Sequence, residues 1–259
     1  MLDLFRRGSA PSFFQSPPLP RLAPRVEADY RKNIRRLERF RDAYAGERCF
    51  ILGNGPSLAH MDLEKLRNEH TFGLNRIYLL SQRTGFSPSF LVAVNTLVLE
   101  QFGHEIDSLP MPKFLGHDSL DHVRPDALTF FLRYNPIPGF YHGFQHGLWH
   151  GATVTFVAIQ IAHFMGFTSV YLIGVDHRFE CKGQPHERQT SRQADPNHFD
   201  PSYFGPGVDW HLPDLETSET AYHIAKIQFR ESRRRIANAG LGGELNIFPR
   251  VDFNSLFQK

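Results

Sequence analysis

The 259-residue chain is 41% hydrophobic and 22% charged, a globular composition whose length suits one large α/β domain with decorations better than two independent cores. A net charge of +2 sets up no field that argues for nucleic acid as a partner, and two cysteines, Cys49 and Cys181, exclude a disulfide framework and a four-cysteine zinc site. The cysteine usage suits a reducing cytosol, the longest apolar runs fall far short of the roughly 20 residues of a membrane span, and no signal peptide is read in residues 1–24, so a soluble cytoplasmic protein is expected.

Residues 1–24 hold Pro11, Pro17, Pro18, Pro20 and Pro24, which cannot propagate a helix, and are read as a flexible or wrapping arm. Residues 25–45 follow as a helix, with Tyr30, Ile34, Leu37, Phe40 and Tyr44 in an apolar stripe at spacings of three and four. Its other face is basic through Arg31, Lys32, Arg35, Arg36, Arg39 and Arg41. That face fits a solvated packing helix, or attraction to anionic lipid head groups or an acidic acceptor.

From residue 46 to the end the pattern is one nucleotide-binding domain of short apolar strands alternating with helices. Cys49–Leu52 runs into Gly53-Asn54-Gly55-Pro56-Ser57. Thr71–Leu74 ends at Asn75, followed by a helix over 77–82. Phe90–Val94 ends at Asn95, followed by a helix through Leu97, Val98, Phe102 and Ile106. Lys113–Leu115 and Thr129–Tyr134 are two further strands. Residues 152–165 are apolar almost all round, as in a helix buried against a sheet. Ser169–Val175 is the clearest strand and ends at Asp176. A polar, aperiodic insert spans 177–214, a helix runs from about Thr217 to Ala239, and Glu244–Phe248 forms a last strand. The fold class is α/β: a single Rossmann-like, doubly wound, mostly parallel sheet with an N-terminal helical arm and a polar lid insert.

Ligands of open parallel sheets bind beyond the carboxyl ends of the strands. Four predicted strands here end in polar residues at that edge: Gly53-Asn54, Asn75, Asn95 and Asp176. The two glycines of the first turn would let backbone approach a ligand, with Pro56 fixing the entry and Ser57 as N-cap of the next helix, or they make a tight turn alone. A dinucleotide fingerprint would need glycine where Leu58 stands and an acid where Asn75 stands, and a Walker loop is absent. Asn75 and Asn95 suit a base edge or sugar hydroxyls, or simply turns. Asp176 suits a ribose, a metal or an acceptor hydroxyl, or a cap. His142, His146 and His150 recur every four residues, but the intervening Gly143 and Gly147 weaken a helix there and no carboxylate or cysteine completes a metal site. The insert offers His177, His186, Glu187, Asp195, His198, Asp200 and His211, among which a histidine over a strand-edge pocket would serve as general base.

Phe50–Leu58, Gly73–Tyr78, Gly151-Ala152-Thr153-Val154-Thr155 and Leu172-Ile173-Gly174-Val175-Asp176 together resemble one superfamily over roughly residues 48–180. It comprises the 6-hydroxymethylpterin pyrophosphokinase-like proteins, the motility accessory factors and the bacterial sialyltransferases that use CMP-sialic acid. The sialyltransferase resemblance implies nucleotide contacts from the Gly53-Asn54-Gly55-Pro56-Ser57 turn, from Asn75 and Asn95, and from Gly151, Ala152 and Thr153. It further implies a metal-independent inverting displacement with His211 as base, or else His198. Arg178 stands where that family carries phosphate-supporting tyrosines. The pyrophosphokinase resemblance implies ATP, a pterin and Mg²⁺, with Asp176 and Asp214 or Glu216 near the metal.

The expected function is transfer of a nucleotide-activated, CMP-type sugar acid to a surface glycan or lipid, with His211, His198, Arg178 and Asp176 as catalytic candidates and no cofactor required. The alternatives are pterin diphosphate transfer with Mg²⁺ and nucleotide binding without catalysis. Peripheral contact with the inner membrane through residues 25–45 and an oligomer are both compatible with the sequence.

Overall fold

The structure is a computed structural model that describes residues 24–258. The proline-rich arm read over 1–24 therefore lies, Pro24 aside, outside the described residues. Among the described residues nine strands form: β1 (Arg48–Leu52), β2 (His70–Leu74), β3 (Phe90–Ala93), β4 (Lys113–Gly116), β5 (Thr129–Leu132), β6 (Ser169–Ile173), β7 (Arg188–Thr190), β8 (Asp209–His211) and β9 (Arg235–Asn238). Seven make one sheet in the order β5-β4-β3-β2-β1-β6-β9, with every pairing parallel. Strands β1 to β6 are buried throughout, save an intermediate first residue in β1, β2 and β6. They read as continuous apolar runs because both sheet faces are covered.

The chain winds outward from β1 to β5, then returns to set β6 on the other side of β1. The winding reverses between β1 and β6, the place where open sheets part to admit a ligand. Among the described residues five α-helices flank the sheet: α1 (Pro24–Leu37), α2 (Tyr78–Thr84), α3 (Thr96–Asp107), α4 (Val154–Phe164) and α5 (Leu215–Glu231). All of Thr155–Phe164 is buried, and this segment anchors one core layer with Leu37, Phe72, Phe114 and Phe229. The opposite layer gathers Phe50, Leu80, Val98, Ile106, Tyr171 and Phe253.

The N-terminal helix is shorter than its apolar stripe predicts. It ends at Leu37, passes through a 3₁₀ turn over Glu38–Phe40, and the chain bends at Asp42, whose φ is +52°. The Asp42 and Tyr44 N–H groups then donate to the Phe164 and Met165 carbonyls at 3.1 and 2.8 Å, satisfying the C-terminal end of α4. The stripe itself is consumed by packing: Tyr30 and Leu37 are buried, and Tyr30 Oη donates to the Phe144 carbonyl at 2.9 Å. Asn33 does more. Its amide donates to the Phe131 carbonyl at 2.7 Å and accepts the Phe131 N–H at 2.9 Å, so one side chain hydrogen-bonds like a strand along the edge of β5. The exposed residues among those of the helix whose side chains are described, Asp29, Arg31, Lys32 and Arg35, are all charged. Among the described residues no helix is long and apolar enough to cross a membrane.

Two expected elements near the C-terminus are corrected. The helix predicted to Ala239 stops at Glu231, because Arg233 takes a left-handed φ of +58° and Arg235–Asn238 joins β6 as strand β9. The predicted strand over 244–248 is a loop, with Leu245 and Phe248 buried and the Leu245 carbonyl accepting from Asn238 Nδ2 at 3.0 Å. The insert, aperiodic in sequence, contains the antiparallel hairpin β7–β8.

Asn33→Ala should leave the Phe131 N–H and carbonyl unpaired at a buried edge and cost about 2–4 kcal/mol, read as a lower midpoint in urea unfolding. His163 has its pKa lowered to about 3, by burial first and then by Arg234 and His142. A depressed folded-state pKa means that the unfolded chain binds the extra proton, so stability should fall as pH drops below about 6.5. His163→Gln should therefore lose less melting temperature than the wild type between pH 7 and pH 5.

Candidate functional site

The ends of β1 and β6 meet without side chains between them. Gly53 N donates to the Ile173 carbonyl and Gly55 N to the Gly174 carbonyl, both at 2.8 Å, so the ladder continues past the strands. A Cβ on Gly55 would lie 2.6 Å from the Asp176 carboxyl, and one on Gly53 2.9 Å from Val175 Cγ2. Both glycines are thus required by the strand ends themselves, before any ligand is considered. The Asp176 carboxylate then accepts the Ser57 N–H at 2.9 Å and the Ser57 hydroxyl. Ser57 is accordingly not an N-cap: it lies inside a five-residue 3₁₀ turn, Pro56–His60, and Asp176 from β6 secures that turn. Asp176 is held from its other side too, its carbonyl accepting Glu244 N at 2.7 Å.

Above this junction opens a cavity of about 310 Å³. It receives Gly53, Asn54, Gly55, Asn75, Asn95, Ala152, Thr153, Asp176, Arg178, His198 and His211 of the predicted site. Pro56, Ser57 and Gly151 stay outside its lining. Pro56 opens the 3₁₀ turn, Ser57 binds Asp176, and Gly151, at φ +58°, is pressed against Ala221 and Phe156. His142 and His146 are not lining residues, and among the described residues no three His, Cys, Asp or Glu side chains gather as metal ligands.

Three helices begin at the cavity wall. Asn95 caps α3 by accepting Val98 N, Thr153 caps α4 by accepting Thr155 N, and Asp214 caps α5 by accepting Thr217 N, at 3.3, 3.3 and 2.9 Å. Converging helix N-termini favour a negatively charged ligand. Arg178 is exposed on the same wall and makes no ion pair among the described residues. Of the six non-glycine residues with positive φ among the described residues, Asn75, Ala152, His177 and His186 line this cavity. Strained backbone concentrates where function demands a particular geometry.

The insert forms the remaining wall and is tied to the rest of the domain at several points. Phe199 N donates to the Asn54 carbonyl at 2.8 Å. The buried Arg76 guanidinium donates to the Ser202 carbonyl at 3.1 Å and to that of Tyr203, while lying 3.5 Å from the Phe102 ring centroid. This arrangement presents His198, stacked on Tyr203 at 3.9 Å, with its Nδ1 2.6 Å from Asp195 Oδ2. Burial alone would raise the Asp195 carboxyl, but hydrogen bonds from His198 and from the Asn197 and Phe204 N–H groups bring it below its ordinary value. An ionised Asp195 accepts the Nδ1 proton in the tautomer whose Nε2 lone pair is free. His211 is exposed on β8, its pKa lowered by partial burial and then by His186 and Arg188. His186 pairs with Asp214 at 3.0 Å and His177 with Glu219 at 3.2 Å.

Asp195 was legible only as the i, i+3 partner of His198, a spacing with no weight until the insert is folded. Tyr203, Trp210 and His150 left no sequence signal for a place in the cavity. His150 stands here as a single residue of the lining, its pKa lowered to about 4 by burial.

Residues 26–182 match the family described as 6-hydroxymethylpterin diphosphokinase MptE-like, and the chain belongs to that family. Its fold is similar to that of the MAf glycosyltransferase from Magnetospirillum magneticum AMB-1, with a TM-score of 0.54 and 16% identity over 90% of this chain. The chain spans 39% of that protein. Both belong to the superfamily that the glycine turn and the Gly-Val-Asp strand end resemble. No curated protein matches.

Gly55→Ala should force the Asp176 carboxyl off Ser57 and lower the melting temperature by several degrees, the cost of a strained contact plus a lost charge-assisted hydrogen bond being about 2–4 kcal/mol. Ser57→Ala, which adds no atom, should cost less than Gly55→Ala in the same thermal-denaturation measurement.

Proposed function

We propose that this protein is a transferase that moves a sugar acid from a CMP-type nucleotide to the hydroxyl of a glycan or lipid acceptor. The observation that carries the reading is the Asp195–His198 pair in one wall of a cavity whose other walls hold three helix N-termini and Arg178. His198 Nε2 takes the proton of the acceptor hydroxyl as its oxygen bonds to the anomeric carbon. The bond from that carbon to the phosphate oxygen breaks on the opposite face, and the electron pair leaves with the nucleotide. The helix N-termini and Arg178 stabilise the charge that appears there. Such a displacement inverts the anomeric centre. His198 is preferred to His211 because it alone of the two is oriented by a buried carboxylate.

The second reading, diphosphate transfer from ATP to a hydroxymethylpterin, draws on the description of the family to which the chain belongs. It needs carboxylates for Mg²⁺. Asp176 accepts two hydrogen bonds from Ser57, Asp214 caps α5 and pairs with His186, and Glu216 is exposed on the first turn of α5. Asp176 and Asp214 line the cavity but already accept hydrogen bonds within the protein, Glu216 lies outside the lining, and among the described residues no three such side chains gather, so they fit a metal poorly.

Thermal-shift titration with CMP, CDP, UDP, GDP, ADP and ATP, with and without Mg²⁺, separates the two. The transferase reading expects stabilisation by CMP or CDP that EDTA leaves intact. Stabilisation by ATP in Mg²⁺ alone would overturn it in favour of the second. Once a donor is found, His198→Ala should lower kcat by about 10²–10⁴-fold with little change in donor binding. His211→Ala should cost less than about tenfold in the same assay.

A further inference from the structure

Among the described residues, three buried side-chain atoms have no hydrogen-bond partner: Asn54 Oδ1, Asn75 Oδ1 and His150 Nε2. All three belong to residues that line the same cavity. Buried polar groups are ordinarily satisfied, so three exceptions in the lining of one cavity indicate a missing partner. His163 provides the internal control. It too is strongly desolvated, yet its Nε2 lies 3.1 Å from Ser232 Oγ.

The orientation of each group defines what the partner must be. Asn54 Nδ2 donates to the Leu74 carbonyl at 3.0 Å, which leaves its Oδ1 as a free acceptor. Asn75 is held at φ +46° by its N–H bond to the Val92 carbonyl, its amide beside the Tyr203 hydroxyl and its Oδ1 likewise free. His150 follows the buried Trp149 and precedes Gly151 and Ala152, both left-handed, which start the turn into α4. Its ring meets Tyr134 edge to face at 5.0 Å, and burial keeps it uncharged through neutral pH. Two carbonyl acceptors repel a phosphate or a carboxylate and require N–H or O–H groups.

We propose that His150 is a specificity-determining residue, which together with the Asn54 and Asn75 carbonyls reads an uncharged, hydrogen-donating edge of the nucleoside. This rests on the nucleotide-dependent reading given above. The phosphate lies instead toward the helix N-termini and Arg178. The donating edge is a base amino group or the ribose hydroxyls, and the ligand series below distinguishes them.

Calorimetric titration of the full chain with CMP, UMP, dCMP, ATP with Mg²⁺, and pyrophosphate is the test, on wild type, His150→Phe and His150→Gln. His150→Phe should weaken the best-bound nucleotide about tenfold or more, leave pyrophosphate affinity unchanged and keep the melting temperature within a few degrees. His150→Gln, which restores a hydrogen-bonding group, should recover part of the loss. If the loss is specific to CMP over UMP the edge is the base amine, and if it is specific to CMP over dCMP the edge is the ribose. Equal nucleotide affinity in wild type and His150→Phe would overturn this inference alone, and equal loss of nucleotide and pyrophosphate would reduce His150 to a folding role. A wild-type chain that binds none of these nucleotides would overturn the functional reading as well.

Discussion

Strands β1 and β6 end side by side with only glycine between them, and the site is built on that contact. Gly53 and Gly55 extend the backbone ladder to Ile173 and Gly174, and Ser57 closes it by donating twice to Asp176. A side chain at Gly55 would occupy the place of the Asp176 carboxyl. Because the winding of the sheet reverses at this pair, the helices that follow the strands on either side must diverge from it. The opening they leave is the cavity, and the junction of β1 and β6 is its floor.

The cavity divides into chemically different regions. On one side, α3, α4 and α5 begin with caps from Asn95, Thr153 and Asp214, and Arg178, which makes no ion pair among the described residues, adds a full positive charge. Also in the lining are Asn54, Asn75 and His150, whose Oδ1 and Nε2 atoms are buried without a hydrogen-bond partner. The insert contributes the third, where Asp195 holds His198 against Tyr203. A ligand with an anionic centre, a neutral hydrogen-donating end and a proton to give up matches these regions in turn. The arrangement depends on an anchored insert, and Arg76, buried against Phe102 and bonded to the Ser202 and Tyr203 carbonyls, supplies that anchor.

The N-terminal helix illustrates how packing decides between readings that a pattern leaves open. Its apolar stripe and basic face suit either a membrane surface or a protein core. Asn33, beside the stripe, fixes the apolar side against the domain, since its amide matches the two backbone groups of Phe131 at the sheet edge, and the basic face stays in solvent. The basic residues that remain in solvent are partly paired, as Arg31 with Glu27 and Lys32 with Asp29.

Local sequence determined the order of strands and helices, the buried character of the sheet and the polar residues at its carboxyl edge, because these depend on runs and periods a few residues long. It misjudged the end of α5, where Arg233 breaks the helix without a glycine or proline to mark it and Ile236 and Ala237 acquire a strand partner 66 positions back, as in Val170↔Ile236. It also placed Ser57 as an N-cap, when Ser57 donates instead to Asp176 across 119 positions. Only the tertiary structure set Asp195 behind His198 in the cavity wall, bonded the carboxylate of Asp176 to Ser57, and left, among the described residues, His150 Nε2 without a hydrogen-bond partner. These outcomes depend on which distant groups satisfy one another's hydrogen bonds and which remain unsatisfied, and no local pattern of residue types carries that information.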